Sequence, residues 1–530
     1  MKKIAIVVLA VGLLSLGCKG NTGGEETLIF VDINAANSLQ EGTEANPFLT
    51  IQDAVDCCET TVSNKRCEIR VAEGTYNESV IATNETELIR LKGGYATRFD
   101  DWDPQTYDTI IESLGYVGIL WENPGDLEVE GFQISGNFTG IGTFLDEGGN
   151  VLISDNLISD NDLGILNVVY PPYPLPTDET VPDISASLTA SDNLLYNNYY
   201  IGTLSYAIGY DTVDATLEID LNHNSVYGYS GYSYAGTILG AIGYYNGGAH
   251  VAGEISNNIV SSNNVGLGVQ SGYSYSSFYV GDSSVDLDVN NNIVAFNYIG
   301  IGLYTLNYDY DYTATVTLDV DSTNDTVAYN YLFGALAYEL GVGTAESDIQ
   351  VNIRNDIFGY AYGLSLLGNV DINDDILVNY SLIDTLVDIG IFPTSVGNID
   401  EDPLFENVPD MMEPAGLDDV DTIAVDSASP EYDVDDIIEI NFDGVSRTVT
   451  AVDDIANTVE FTPPVPEDMP GVVMVLNYGA DGSAGVNLNL AVGSPCINTG
   501  DPSISDIDGT RSDMGAYGGP GGEAIGTRTW

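Results

Sequence analysis

One segment returns along most of this chain, and any fold must accommodate it. It reads SDNLISDNDLGIL from Ser154, SDNLLYNNYYIGTL from Ser191, SNNIVSSNNVGLGV from Ser256, NNNIVAFNYIGIGL from Asn290 and TNDTVAYNYLFGAL from Thr323. The shared pattern is Asn or Asp, two apolar residues, two variable ones, Asn, two or three variable ones, Gly, then alternating apolar residues. Its first polar residue recurs as Asn156, Asn193, Asn224, Asn258, Asn292, Asp325, Asp356 and Asp375, at intervals of 37, 31, 34, 34, 33, 31 and 19 residues. A period of this size belongs to a solenoid or a propeller, because one unit cannot bury its apolar face without a neighbour.

The local pattern selects among solenoids. Each unit carries short β-branched runs with period-two alternation, such as Asn292-Ile293-Val294, and Gly or Asn at the corners. No sustained 3.6-residue periodicity runs through it, and so much Gly and Asn would penalise helices. Propeller blades would need four evenly spaced strands, which the variable intervals do not supply. The expected class is therefore all-β: a parallel β-helix solenoid, with a small inserted antiparallel β module where the repeat stops. Asn tolerates left-handed backbone and can hydrogen-bond coil to coil, so the recurring Asn residues are read as structural, as is His223 in the same turn.

Both ends resemble known folds. The segment from Ile29 (IFVDINAANSLQEGTEANPFLTIQDAVDCC), with IRVAEGTYNESV from Ile69 and LKGGYATRFDDWDPQTYDTIIES from Leu91, resembles the first coils of secreted pectate-lyase-like β-helix proteins. The resemblance implies a right-handed parallel β-helix with a short N-terminal capping helix after Pro47, with Thr50 as N-cap and Asp53 as its N3 partner. GSPCINTGDPS from Gly493 and DIDGTRSDMGAYGG from Asp506 resemble the closing coil of the same group. Between them the repeat vanishes and strand-like runs begin at Ile437, Arg447, Thr458 and Val472, with Asp443-Gly444 as a hairpin signal. The divisions are 1–17 signal peptide, 18–27 tether, 28–115 cap and first coils, 116–405 repeats, 406–485 inserted module and 486–530 final coil and tail.

The N-terminus is an address. Met1-Lys2-Lys3, an apolar stretch from Ile4 to Leu16, and Gly17-Cys18 resemble a bacterial lipoprotein signal. The resemblance implies lipidation of Cys18 and, with Lys19 following, the outer membrane or cell surface. Four cysteines remain. Cys67 paired with Cys57 or Cys58 would close a short loop in an oxidising compartment, and Cys496 sits in an apolar context as a small hydrophobe.

Charge excludes some partners. Thirteen Lys+Arg against 80 Asp+Glu give a net charge of −67, and no Lys or Arg stands between Arg98 and Arg354. Nucleic acid, a polyanion, needs the cations this chain lacks. A uronate lyase needs cations on its substrate carboxylate. The His-Gly and Arg-Ile-Lys motifs that accompany paired carboxylates in polygalacturonases are missing around Asp374-Asp375. Asp506, Asp508 and Asp513, with alternating carboxylates and a Gly turn, are the candidate Ca²⁺ ligands. Tyr-rich stretches carry Tyr232, Tyr234, Tyr273, Tyr275, Tyr308 and Tyr310, candidate platforms for sugar rings. The expected function is a non-catalytic, lipid-anchored surface protein whose scaffold presents Tyr/Asp-rich loops for glycan or adhesive contact. A carbohydrate-active lyase or hydrolase, and a purely architectural envelope protein, are the alternatives; oligomeric state is left open.

Overall fold

In a computed structural model, residues 26–522 are described except for 37–38, 63–65, 84–85, 114, 123–124, 173–180, 229–232, 246, 274–280, 308–313, 342–345, 360–361, 369–375, 384–395, 426–431, 441–444, 466–471 and 481. Three parallel sheets stand along a common axis. The first holds 12 strands, from Thr27–Val31 to Ile376–Asn379; the second 11, from Gly74–Tyr76 to Leu382–Ile383; the third 10, from Val80–Ala82 to Tyr362–Gly368. The chain visits them in turn, so each strand pairs with those one coil below and above, as Ile293–Ala295 does with Ile259–Ser261 and Thr326–Ala328. This is a parallel β-helix. Alternation sends Val285, Leu287 and Val289 inward and leaves Asp286 and Asp288 outside.

Two asparagine ladders turn the corners. At the first, Oδ1 of each rung accepts both the backbone N–H and the side-chain N–H of the rung before it. The series runs Asn156, Asn193, Asn224, Asn258, Asn292 and Asp325 at 2.6–3.2 Å. The residue before each rung is left-handed, from Asp155 (φ 55°) through His223 (58°) to Asn355 (61°), which Asn, Asp and His tolerate better than most residues. Asp356 donates onward to the Ser381 hydroxyl at 3.1 Å, so the next rung is Ser381 and not Asp375, which lies outside the described residues. The second corner repeats the device with Asn137–Asn161–Asn198 and Asn263–Asn297–Asn330.

The Gly of the repeat answers a packing demand. A Cβ on Gly164, Gly202, Gly236, Gly266 or Gly300 would lie 2.4–2.8 Å from the carbonyl oxygen of the corresponding Gly one coil on. Such a contact is closer than any side chain tolerates, so the coils meet here only through glycine.

The ends are capped. Helix α1 (Ile51–Thr61) closes the first coil, with the Thr50 hydroxyl accepting from Asp53 N at 3.1 Å. Glu78, from the first coil, accepts from the next orphan donors, Ile51 N and Gln52 N, at 2.8 and 3.0 Å. Of the two partners left open for Cys67, the structure joins Cys58 and not Cys57. At the far end the inserted module is a closed six-stranded antiparallel barrel of Met411–Asp419, Thr422–Ala424, Ile437–Ile440, Arg447–Asp453, Thr458–Thr462 and Val472–Asn477. Its own core is built on Ile423, Ile438, Val449, Phe461 and Val473.

The segment expected as a closing coil takes another course. Asn487–Leu490 pairs antiparallel with Phe405–Asn407, and the chain then runs back over the outer face of the second sheet. Asn355 accepts from Asp501 N and, through its backbone oxygen, from Gly515 N at 2.6 Å. Asn324 Nδ2 reaches Ser512 Oγ at 3.1 Å, and Asn291 Nδ2 reaches the carbonyls of Ala516 and Gly518 at 2.9 and 2.7 Å. Cys496, Met514 and Ala516 bury against Ile293, Ala328 and Ile357 beneath this strap. Cys496 is a free, buried thiol, pushed up to about 12 chiefly by burial.

Candidate functional site

Immediately after the second asparagine ladder the chain turns outward for one or two residues before the glycine. In successive coils that position holds Tyr116, Phe138, Asp162, Tyr199-Tyr200, Tyr234, Asn264, Tyr298 and Tyr331-Leu332. Backbone bonds fix the register: Leu163 N donates to Phe138 O, Ile201 N to Asp162 O, Ala235 N to Tyr200 O, Val265 N to Tyr234 O and Ile299 N to Asn264 O. Coils are spaced by about 4.8 Å, so these side chains form a row along the axis. Its aromatic members are open to solvent, with Tyr116 at 84%, Tyr234 at 63% and Tyr331 at 69% exposure. Tyr298 and Tyr331 stack at 5.4 Å and 23°, and Tyr199 meets Tyr200 edge-on at 4.7 Å. Large rings exposed in line form an apolar patch of the kind that proteins seldom leave open to water.

The neighbouring face of the third sheet continues the aromatic surface. One outward column runs Phe144, Val168, Tyr206, Gly240, Gln270, Tyr304 and Tyr338 in strand register. The Tyr206 ring lies over Gly240, where a Cβ would sit 2.3 Å from its Cε1, and its hydroxyl reaches Gln270 Oε1 at 3.4 Å. Burial raises the Tyr304 phenol, and the nearby Tyr234 adds to the rise. Tyr234 thus links corner row and sheet face. The other tyrosines singled out from the sequence are not brought to this surface by any described contact. Tyr232, Tyr275, Tyr308 and Tyr310 lie outside the described residues, and Tyr273 is described only as the last residue of Val265–Tyr273.

The first sheet shows a different surface. Near its start, cations neutralise the outer columns: Arg90 pairs with Glu26 at 2.5 Å and with Glu128, and Lys92 with Glu130 at 2.9 Å. The column of Arg90 and Glu128 then passes Leu152 and Thr189 and becomes acidic. Asp220, Glu254, Asp288 and Asp321 follow one another in register, with Asp286 and Asp319 in the next column and Glu218 at its head. A shallow depression of about 570 Å³ opens among Ser187, Thr189, Glu218, Asp220, Glu254 and Asp288, floored by Gly253. Desolvation first, and then neighbouring carboxylates, raise Asp220, Asp288 and Asp319 above the usual range. Among the described residues, no three His, Cys, Asp or Glu side chains converge as metal ligands would.

The candidate Ca²⁺ carboxylates point into their own turn. Asp506 accepts from Asp513 N at 3.1 Å and Gly519 N at 2.6 Å, Asp508 from Thr510 N at 2.8 Å, and Asp513 from Asn498 N at 2.6 Å. Each has its own backbone donor, and burial first, then the neighbouring Asp506 and Asp508, raise the Asp513 carboxyl. Of the two histidines, His223 sits at the ladder corner and His250 Nδ1 meets Ser284 Oγ at 2.7 Å on the first sheet. Cys18 lies outside the described residues.

No protein-family model matches the chain. No curated protein matches it either. Among solved structures, one titled "The complex structure of XylC with xylose" aligns over 92% of this chain and 98% of its own, with a TM-score of 0.38 and 10% identity.

Proposed function

We propose that the protein is a non-catalytic, surface-displayed β-helix that binds glycan through the aromatic corner row and the adjoining tyrosine face. The observation that carries this reading is the exposure of Tyr116, Phe138, Tyr200, Tyr234 and Tyr298 at one register position, with exposed Tyr331 one residue ahead of it in the last coil of the row. The faces and edges that these rings leave open, one face each for the stacked Tyr298 and Tyr331, offer an apolar surface for the C–H face of a sugar, and each tyrosine adds a hydroxyl at its edge. A lipid on Cys18 would hold this scaffold at the membrane.

The test is retention on an immobilised glycan panel, comparing the unaltered protein with a Tyr234→Ala/Tyr298→Ala/Tyr331→Ala variant of unchanged circular dichroism. Loss of retention in the variant supports the reading; equal retention, or none by either protein, defeats it. A second reading rests on the acidic depression, where carboxylates of raised pKa stand beside others on one face, the raw material of acid–base glycosidic cleavage. New reducing ends in the same incubations, abolished by Asp220→Asn or Asp288→Asn, would favour it.

A further inference from the structure

Resting on the glycan-contact reading, we infer that the row takes a linear glycan without carboxylate or sulfate groups, laid parallel to the solenoid axis. Two observations carry this. The first is geometric. Aromatic platforms follow one another at the coil spacing of about 4.8 Å, so a chain crossing the row touches one ring while a chain along it touches several. The near-parallel stack of Tyr298 on Tyr331 presents a strip running in that direction. At Asp162 and Asn264 the rings give way to hydrogen-bonding side chains in the same register, so ring hydroxyls meet acceptors at intervals along the strip.

The second observation is electrostatic. The row contains a carboxylate, Asp162, and no Lys or Arg occurs anywhere between Arg98 and Arg354, the span that holds all the platforms from Tyr116 to Tyr331. The whole chain carries −67. A polyuronate would bring a charge on each ring against this field with no cation to pair it, and like charges brought together at an interface cost several kcal/mol. Neutral rings escape that repulsion, and amino-bearing rings gain attraction and cation–π contact with tyrosine.

The experiment is isothermal titration of the full chain at low salt with three oligosaccharide series, each from disaccharide to octasaccharide. The series are neutral β-linked gluco-oligosaccharides, glucosamine oligosaccharides with free amino groups, and oligogalacturonates. Affinity is expected to climb with length in the first two, and to be roughly tenfold or more weaker for the third at every length. The advantage of the amino series should vanish at about 1 M salt, where screening reaches about 3 Å. Tyr298→Ala and Tyr331→Ala should each lower long-chain affinity roughly threefold to tenfold and leave disaccharide affinity less affected, with Tyr298→Phe restoring most of it. Oligogalacturonates binding as tightly as neutral chains overturn the charge assignment, and affinity independent of length overturns the axial one. Both results would leave the glycan reading standing. Failure of all three series to bind defeats that reading itself.

Discussion

The backbone N–H of Asp325 donates to Oδ1 of Asp356 at 2.8 Å, and the Ser322 hydroxyl bridges their other oxygens, 2.8 Å from Asp325 Oδ2. Both carboxyls are fully buried and occupy rungs that earlier coils fill with asparagine. One serine hydroxyl is thus the shared donor of two buried carboxyls, an arrangement that favours their protonated forms. Burial pushes Asp325 up to about 6, and burial together with the Asp325 charge takes Asp356 well above its ordinary value.

A raised folded-state pKa makes a sign prediction. The stabilisation is fully present below the unfolded value near 3.8 and is lost as pH rises through the folded value, about 6 for Asp325 and well above the ordinary carboxyl value for Asp356. Asp325→Asn/Asp356→Asn removes the titration and continues the amide ladder. Relative to the unaltered protein it should be close in urea midpoint at about pH 4 and more stable by about 3 kcal/mol at about pH 8. An unchanged difference across that range would mean that neither carboxyl titrates in the fold.

Gly266→Ala tests the glycine contact between coils. The new Cβ would stand 2.7 Å from Gly300 O, 2.6 Å from Val294 Cγ1 and 2.8 Å from Asn297 Nδ2. Overpacking of this kind costs about 1–3 kcal/mol. Gly359→Ala, whose Cβ would meet nothing nearer than 3.6 Å, is the matched control and should be close to neutral in thermal melts.

Asn258→Ala tests the first ladder at its middle. It removes the acceptor for Asn224 N and Nδ2 and the donor to Leu221 O, Ser256 O and Asn292 Oδ1. Stranding buried groups on both sides should cost about 2–4 kcal/mol in denaturant titrations. Asn257→Ala, at the corner before it, should cost less, since its side chain contributes one bond of 3.3 Å to Asn222.

Membrane fractionation tests the anchor. Cys18→Ala expressed in a bacterial host should move the protein from the membrane pellet to the soluble extracytoplasmic fraction, and labelled palmitate should mark only the unaltered chain. Equal partition of the two proteins would remove the lipid from the proposal.

Much of the scaffold was legible because its corners are built from residue types with few alternatives. Left-handed corners and amide ladders demand Asn or Asp at one spacing, so the anchors from Asn156 to Asp356 fall on the rungs. The count failed at Asp375 because a serine hydroxyl can replace the amide, and Ser381 carries no mark that separates it from other serines. The strands at Ile437, Arg447, Thr458 and Val472 were visible in their apolar runs. The barrel's closure was not, since Met411–Asp419 breaks alternation with Glu413, Pro414 and Gly416. At the site, loop tyrosines drew attention through local density, and Tyr234 alone of those named is described in the corner row. The others in the row each follow a ladder Asn or its equivalent, as in Asn137-Phe138, Asn297-Tyr298 and Asn330-Tyr331. That signal was present in the repeat but spread one residue per coil. The strap could not be read, because its partners Asn291, Asn324 and Asn355 lie far upstream and look like any other corner residues.

That strap changes how the molecule comes apart. A solenoid bound only coil to coil loses its end units one after another, each departure costing a single interface. Here the tail that leaves the barrel clasps Asn355, Asn324 and Asn291 in succession, bridging 227 residues at its furthest hydrogen bond. The last coils therefore cannot fray while the clasp holds, and losing the clasp uncovers several coils at once. Wear at the exposed end becomes an all-or-none event, which suits a rod that must keep its full length under proteolysis or shear.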